Sequence, residues 1–127
     1  MIALVCGGRD FDDYLYLCRR MNYFHEQLGI TEVLHGAAKG ADMCAANWAT
    51  ARGIPTRAFP ADWQGLGKAA GPIRNRQMVA QQPDCVIAFK GGRGTHDLIN
   101  QARVAGIIVH NHDDQLSHRS SPPSSSE

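Results

Sequence analysis

The sequence predicts an α/β fold: one domain with a mostly parallel, doubly wound sheet of about five strands and helices on both faces. Three observations carry this. Short apolar runs alternate with stretches of helical period along the first 110 residues or so. Several of the runs are continuously apolar instead of alternating, as strands covered on both faces must be. Glycine-rich segments follow each of the first four runs, where such a sheet places its ligand loops.

The elements follow in order. "IALVC" (2–6) is the first strand, and "GGRDFDD" leads from it into a helix over 12–28. Tyr14, Leu17, Cys18, Met21, Phe24 and Leu28 form its apolar stripe, and Gly29 stops it. "TEVLH" (31–35) is the second strand, followed by "GAAKGAD". The helix over 41–52 presents Ala41, Cys44, Ala45, Trp48 and Ala49 on one face, and "PTRAF" (55–59) is a short third strand. "PADWQGLGKAAG" then reads as a long loop, a length that usually signals function. Pro72 opens a helix over 72–81, "DCVIAF" (84–89) is the fourth strand, 95–105 a helix and "GIIVH" (106–110) the fifth strand.

Residues 1–112 are read as the folded domain and 113–127 as a disordered tail, since "DDQLSHRSSPPSSSE" is rich in serine and proline and has almost nothing to bury. The 127 residues fit one domain, and a formal net charge of +1 with scattered basic residues argues against a nucleic-acid surface. No apolar run approaches a membrane span, and the N-terminus is too soon glycine-rich for a signal peptide. Cys6, Cys18, Cys44 and Cys85 lie far apart without a CxxC pair, which reads as free thiols in a cytoplasmic protein.

The four glycine-rich loops converge on one sheet edge, so the site is expected there. "CVIAFKGGRGTHDL" (85–98) carries the sharpest signal. Gly91, Gly92 and Gly94 leave backbone bare at the mouth of a helix, whose free N–H groups favour an anion such as phosphate. Two common phosphate cradles are excluded. In "GLGKAAG" a P-loop would need glycine at Asp62 and a hydroxyl residue at Ala69, and "CGGRDF" lacks the dinucleotide spacing.

Taken together, "GGRDF", "HGAAKGAD", "FPADW", "GKAAGPIRN" and "GGRGT" resemble the YspA/YpsA-related branch of the SLOG superfamily. That superfamily comprises Rossmann-like domains similar to the LOG ("lonely guy") phosphoribohydrolases and the Smf/DprA proteins. The resemblance spans residues 2 to about 110 and implies binding of nucleotides or nucleotide-derived signals such as ADP-ribose-like molecules. In the LOG pattern an arginine on the helix before the penultimate strand precedes P-G-G-x-G-T-x-E. Here Arg74 stands in the arginine's place, Asp97 in the glutamate's and Lys90 in the proline's. The resemblance thereby marks Arg74 and Asp97 as the catalytic candidates, with an acid one methylene shorter than the LOG glutamate.

Each candidate has two readings. Arg74 and Arg76 lie roughly 200° apart on a helix, so Arg74 faces the site and Arg76 the surface. Asp97 either acts on a ligand or complements the helix dipole. Thr95 is expected at the N-cap, beside Gly91, Gly92 and Gly94 in the phosphate loop. After the first strand, Gly7, Gly8 and Arg9 line the ligand edge, with Arg9 either on a phosphate or ribose or paired with Asp10 or Asp12. Gly36, Lys39 and Gly40 follow the second strand, with Lys39 on phosphate or solvated and Asp42 as a helix cap. Trp63 either stacks on a base or anchors its loop, and Lys68 is a lid charge. His35 closes its strand near the ligand edge, bonding a loop carbonyl or the ligand. His110 and His112 are read as surface histidines rather than metal ligands, so neither metal nor cofactor is expected.

Two functional classes follow. In the first, the chain is a sensor or sequestering module for a nucleotide-type small molecule. In the second, it is an N-glycosidic hydrolase that releases base from a nucleotide. Single-stranded DNA binding of the Smf/DprA kind is weaker, because the charge balance offers few phosphate partners. A homo-oligomer stays open.

Overall fold

The computed structural model describes residues 1–112; the serine- and proline-rich segment after it lies outside the described residues. Its strands are β1 (Ile2–Cys6), β2 (Glu32–His35), β3 (Thr56–Ala58), β4 (Cys85–Phe89) and β5 (Ile108–His112). The helices are α1 (Tyr14–Leu28), α2 (Ala41–Ala51), α3 (Trp63–Leu66), α4 (Ala70–Ala80) and α5 (Arg93–Val104). All neighbouring strands pair in parallel, in the order β3-β2-β1-β4-β5. The chain winds outward from β1 to β3, then crosses back to β4 and winds the other way. The reversal between β1 and β4 opens a crevice at their carboxyl ends.

Strand alternation explains the two cores. Ala3 and Val5 of β1, Val33 of β2, and Ile87 and Phe89 of β4 face α1 and α2, where Leu17, Met21, Phe24 and Trp48 are buried against them. The intervening residues, Leu4, Cys6, Leu34, Val86 and Ala88, face α4 and α5, where Met78, Leu98, Ile99 and Ala102 fill the opposite layer. A continuously apolar strand therefore feeds two cores at once. The edge strand β3 is exposed throughout, and its Arg57 pairs with Glu32 at 2.7 Å.

Several expectations shift. Tyr14 and Leu28, expected in the α1 stripe, are exposed, while Leu17, Met21 and Phe24 are buried. Gly29 ends α1 in the left-handed region, at φ 73°. The long loop after β3 holds structure of its own. Asp62 accepts from the Gly65 amide at 2.9 Å and starts α3, a 3₁₀ turn follows over Gly67–Ala69, and α4 begins two residues before Pro72. The fifth strand runs two residues later than expected. Gly106, at φ 80°, and the Ile107 amide, which donates to the Ala102 carbonyl, use the intervening residues to leave α5. Cys6, Cys18, Cys44 and Cys85 form no disulfide among the described residues.

Candidate functional site

A cleft of about 1270 Å³ lies over the carboxyl ends of the strands, walled by the loops after β1 to β4. The first and last of these loops meet directly: the Gly8 amide donates to the Lys90 carbonyl at 2.7 Å. A Cβ on Gly8 would stand 3.0 Å from the Gly91 Cα, so only bare backbone permits this approach. The Gly8 carbonyl in turn accepts from the Phe11 and Ala41 amides, both at 3.2 Å.

Gly7, Gly8, Arg9, Gly36, Lys39, Trp63, Lys68, Arg74, Gly91, Gly92, Gly94, Thr95 and Asp97 all line the cleft. Gly40 does not. Its φ is 77°, and a Cβ there would strike the Gly8 carbonyl oxygen, so this glycine lets the loops after β1 and β2 pack together. Thr95 is not the N-cap of α5. Gly92 holds that position without a side-chain cap, and Thr95 is buried in the first turn.

The helix termini at the cleft differ in how their amides are satisfied. At α1 the Tyr16 amide donates to Asp13, at α3 the Gly65 amide donates to Asp62, and at α2 the Ala41 amide donates to the Gly8 carbonyl. The amides of Arg93, Gly94 and Thr95 at the head of α5 have no hydrogen-bond partner among the described residues. An added Cβ on Gly92 meets nothing within 4 Å, so that mouth opens directly into the cleft.

Buried polar groups fix the cleft's far side. Asp42, expected as a helix cap, instead folds back under its own loop. Its Oδ2 accepts from the Gly36 amide at 3.1 Å and the Ala38 amide at 3.2 Å. Burial pushes this carboxyl up to about 6, opposed by the Ala38 and Gly36 amides and by Arg74. The His35 ring bonds no carbonyl among the described residues; its Nδ1 accepts from the Ala37 amide at 3.0 Å, which requires that nitrogen unprotonated. Burial lowers the His35 pKa and favours that neutral form.

Arg74 is half-buried, and Arg76 is exposed. The Arg74 Nη1 donates to the Gly36 carbonyl at 2.7 Å and reaches the Phe59 carbonyl at 3.4 Å, and Nε donates to the Asn75 Oδ1 at 3.0 Å. Burial lowers its pKa, while Asp42 and Cys6 raise it. Asp97 accepts through Oδ2 from Asn75 Nδ2 at 2.9 Å and from Gln101 Nε2 at 2.8 Å. Arg9, Lys39, Lys68, Lys90 and Arg93 also border the cleft, and none forms an ion pair among the described residues. Arg9 is therefore paired with neither Asp10 nor Asp12. Trp63 is 56% exposed, with its indole edge against Gly71.

His112, expected at the surface, is buried. Its ring sits 5.8 Å from that of Phe89 and 6.3 Å from that of Tyr16, as the last residue of β5. Asn75 and Arg93 were missing from the expected set. Asn75 does leave a trace in the sequence: it lies between Gly71 and Met78 at positions i, i+4 and i+7 of a buried helix face.

Parallel strand order, a crevice at the reversal point and an uncapped helix mouth beside it define a Rossmann-like α/β domain. Within that class, residues 1–65 match the YAcAr family, described as YspA, cpYpsA-related SLOG, and the chain belongs to it. The matched stretch contains "GGRDF", "HGAAKGAD" and "FPADW"; Arg74 and Asp97 lie beyond it. The chain is 39% identical over 90 residues to the Gene 61 protein of Mycobacterium phage D29, covering 65% of this chain and 72% of that protein. The crystal structure of TM1055, a structural-genomics target, is similar with a TM-score of 0.63. That likeness covers 86% of this chain and 72% of the other at 17% identity, and it bears on the fold alone. Family membership supports a nucleotide-related function for this Rossmann-like domain. Among the described residues, no helix is long and apolar enough to cross a membrane.

Proposed function

We propose that the protein binds a nucleotide or nucleotide-derived small molecule, either a nucleoside monophosphate or an ADP-ribose-like compound, as a sensor or sequestering module. One observation carries the reading: the Arg93, Gly94 and Thr95 amides are unpartnered among the described residues and face an open cleft beneath Gly92. Amides so placed, together with the positive end of the α5 dipole, stabilise a phosphate. Arg93 and Lys90 stand beside them, and charge-assisted bonds from such groups are roughly twice as strong as neutral ones. The ribose and base then extend across the cleft toward Asp97 and Trp63. Calorimetry with adenosine and its 5′-monophosphate tests this. The monophosphate should bind far more tightly, and equal affinities would remove the phosphate site from the argument. Native mass spectrometry of protein purified from cells should detect the resident nucleotide.

A second reading, N-glycosidic hydrolysis, is favoured by the Asp97 carboxylate. Its Oδ2 is held by two amides, and Oδ1 accepts no hydrogen bond among the described residues. In that reaction the bond from ribose C1′ to the base breaks, and the electron pair leaves with the base. Water adds at C1′ and gives up a proton. A fixed carboxylate stabilises the cationic sugar or takes that proton. Asp97→Asn should then leave affinity nearly intact while base release falls by orders of magnitude. Absence of base release by the unmutated protein across a panel of nucleoside monophosphates and NAD derivatives leaves binding as the function.

A further inference from the structure

We infer that Asn75 is a positioning residue through which the loops after β2 and β3 set the geometry of Asp97 and the mouth of α5. The functional part of this inference rests on the nucleotide-binding reading. Asn75 is 2% exposed, and its side-chain hydrogen bonds run in two directions. Nδ2 donates to the Gly94 carbonyl at 3.0 Å and to the Asp97 Oδ2 at 2.9 Å, both in the opening turns of α5. Oδ1 accepts from the Arg74 Nε, and the same guanidinium holds the Gly36 carbonyl. One side chain of α4 thus ties the uncapped helix head to the loop that Asp42 folds beneath. A primary amide is the group that suits this place. It supplies two donors toward a carbonyl and a carboxylate, and one acceptor toward a guanidinium.

Chemistry sets the test. Asn75→Asp keeps the shape and the acceptor for Arg74, but it removes both donors and sets a second carboxylate against Asp97. Two such acids so close resist joint ionisation. The reciprocal variant Asn75→Asp with Asp97→Asn restores a donor facing an acceptor in reversed order. Two readouts apply: the backbone amide resonances of Arg93, Gly94 and Thr95 without ligand, and affinity for adenosine 5′-monophosphate.

Asn75→Asp should shift those three resonances and weaken the monophosphate at least tenfold at pH 7.5, with partial recovery on acidification. The reciprocal double variant should return the resonances toward their original positions and regain most of the affinity, which a residue that only fills space would not do. If Asn75→Asp fails to fold but the double variant folds, the coupling is likewise supported. If neither folds, Asn75→Ser decides: displaced amides at 93–95 support the inference, and undisplaced ones overturn it. Unchanged resonances in folded Asn75→Asp, or a folded double variant no closer to the parent than the single, overturn it too. Should the unmutated protein ignore the monophosphate, the nucleotide reading fails by itself, and the ligand-free resonances still judge the positioning role.

Discussion

Asp42→Asn probes the buried carboxylate beneath the loop after β2. Asp42 is 5% exposed, and burial raises its carboxyl from 3.8 to about 6, with the amides of Ala38 and Gly36 and the charge of Arg74 only partly opposing. Between those two values the folded chain holds a proton that the unfolded chain has released. Stability must therefore fall as pH rises through that window, the reverse of a salt-bridged acid. The gap corresponds to about 3 kcal/mol at neutral pH, of which about 2 kcal/mol develops between pH 4.5 and 7.5. His35, with its pKa lowered by burial, opposes this trend on acidification, because protonation removes the acceptor of the Ala37 amide. Parent and variant share that effect, so their difference isolates position 42. Urea unfolding at pH 4.5 and 7.5 should show the parent gaining about 2 kcal/mol on Asp42→Asn at the lower pH. Parallel profiles for the two proteins would refute the argument that an ionised carboxylate is buried there at a cost.

Three further predictions follow from the cleft. Gly92→Val should keep stability within about 1 kcal/mol, because its side chain enters open space at a helix cap, yet abolish monophosphate binding in calorimetry. Gly40→Ala should destabilise by at least about 1–3 kcal/mol in denaturant unfolding, because a φ of 77° suits glycine and the new Cβ meets the Gly8 carbonyl. Trp63→Ala should leave the melting profile nearly unchanged while weakening base-bearing nucleotides by about 1–3 kcal/mol and sparing ribose 5-phosphate. Equal losses for both ligands would show that Trp63 supports its loop and stacks on no base.

The strands and their parallel arrangement were legible because burial on both faces leaves a continuous apolar run, and "IALVC" and "CVIAF" are such runs. The glycines were legible because residue type records a backbone requirement: Gly8, Gly40 and Gly91 stand where chains approach too closely for a side chain. Fine register was not. Nothing in "AGIIVH" shows that leaving α5 uses Gly106 and Ile107, which moves β5 along by two residues and carries His112 into an aromatic pocket. The polar network was harder still. Asp42 beside a helix start resembles a cap, and Asn75 beside two arginines resembles solvated surface. Their partners lie in other loops, such as Gly94 and Asp97 for Asn75, so proximity along the chain is uninformative.

Arg74 lines the cleft, and it also has structural partners. By analogy it meets the ligand, and its Nε and Nη1 bind Asn75 and the loop carbonyls of Gly36 and Phe59. A half-buried guanidinium with those partners orders three segments of the cleft before any ligand arrives, and ordering in advance lowers the entropy lost on binding. Glycines grant the loops freedom to approach one another, and the buried set of Asp42, Arg74 and Asn75 removes that freedom again. What stays unsatisfied after this ordering is the row of amides at Arg93, Gly94 and Thr95, flanked by basic side chains without acidic partners among the described residues. On the proposed function, matched internal polar groups and an open helix mouth suit the site to negative charge supplied from outside the chain.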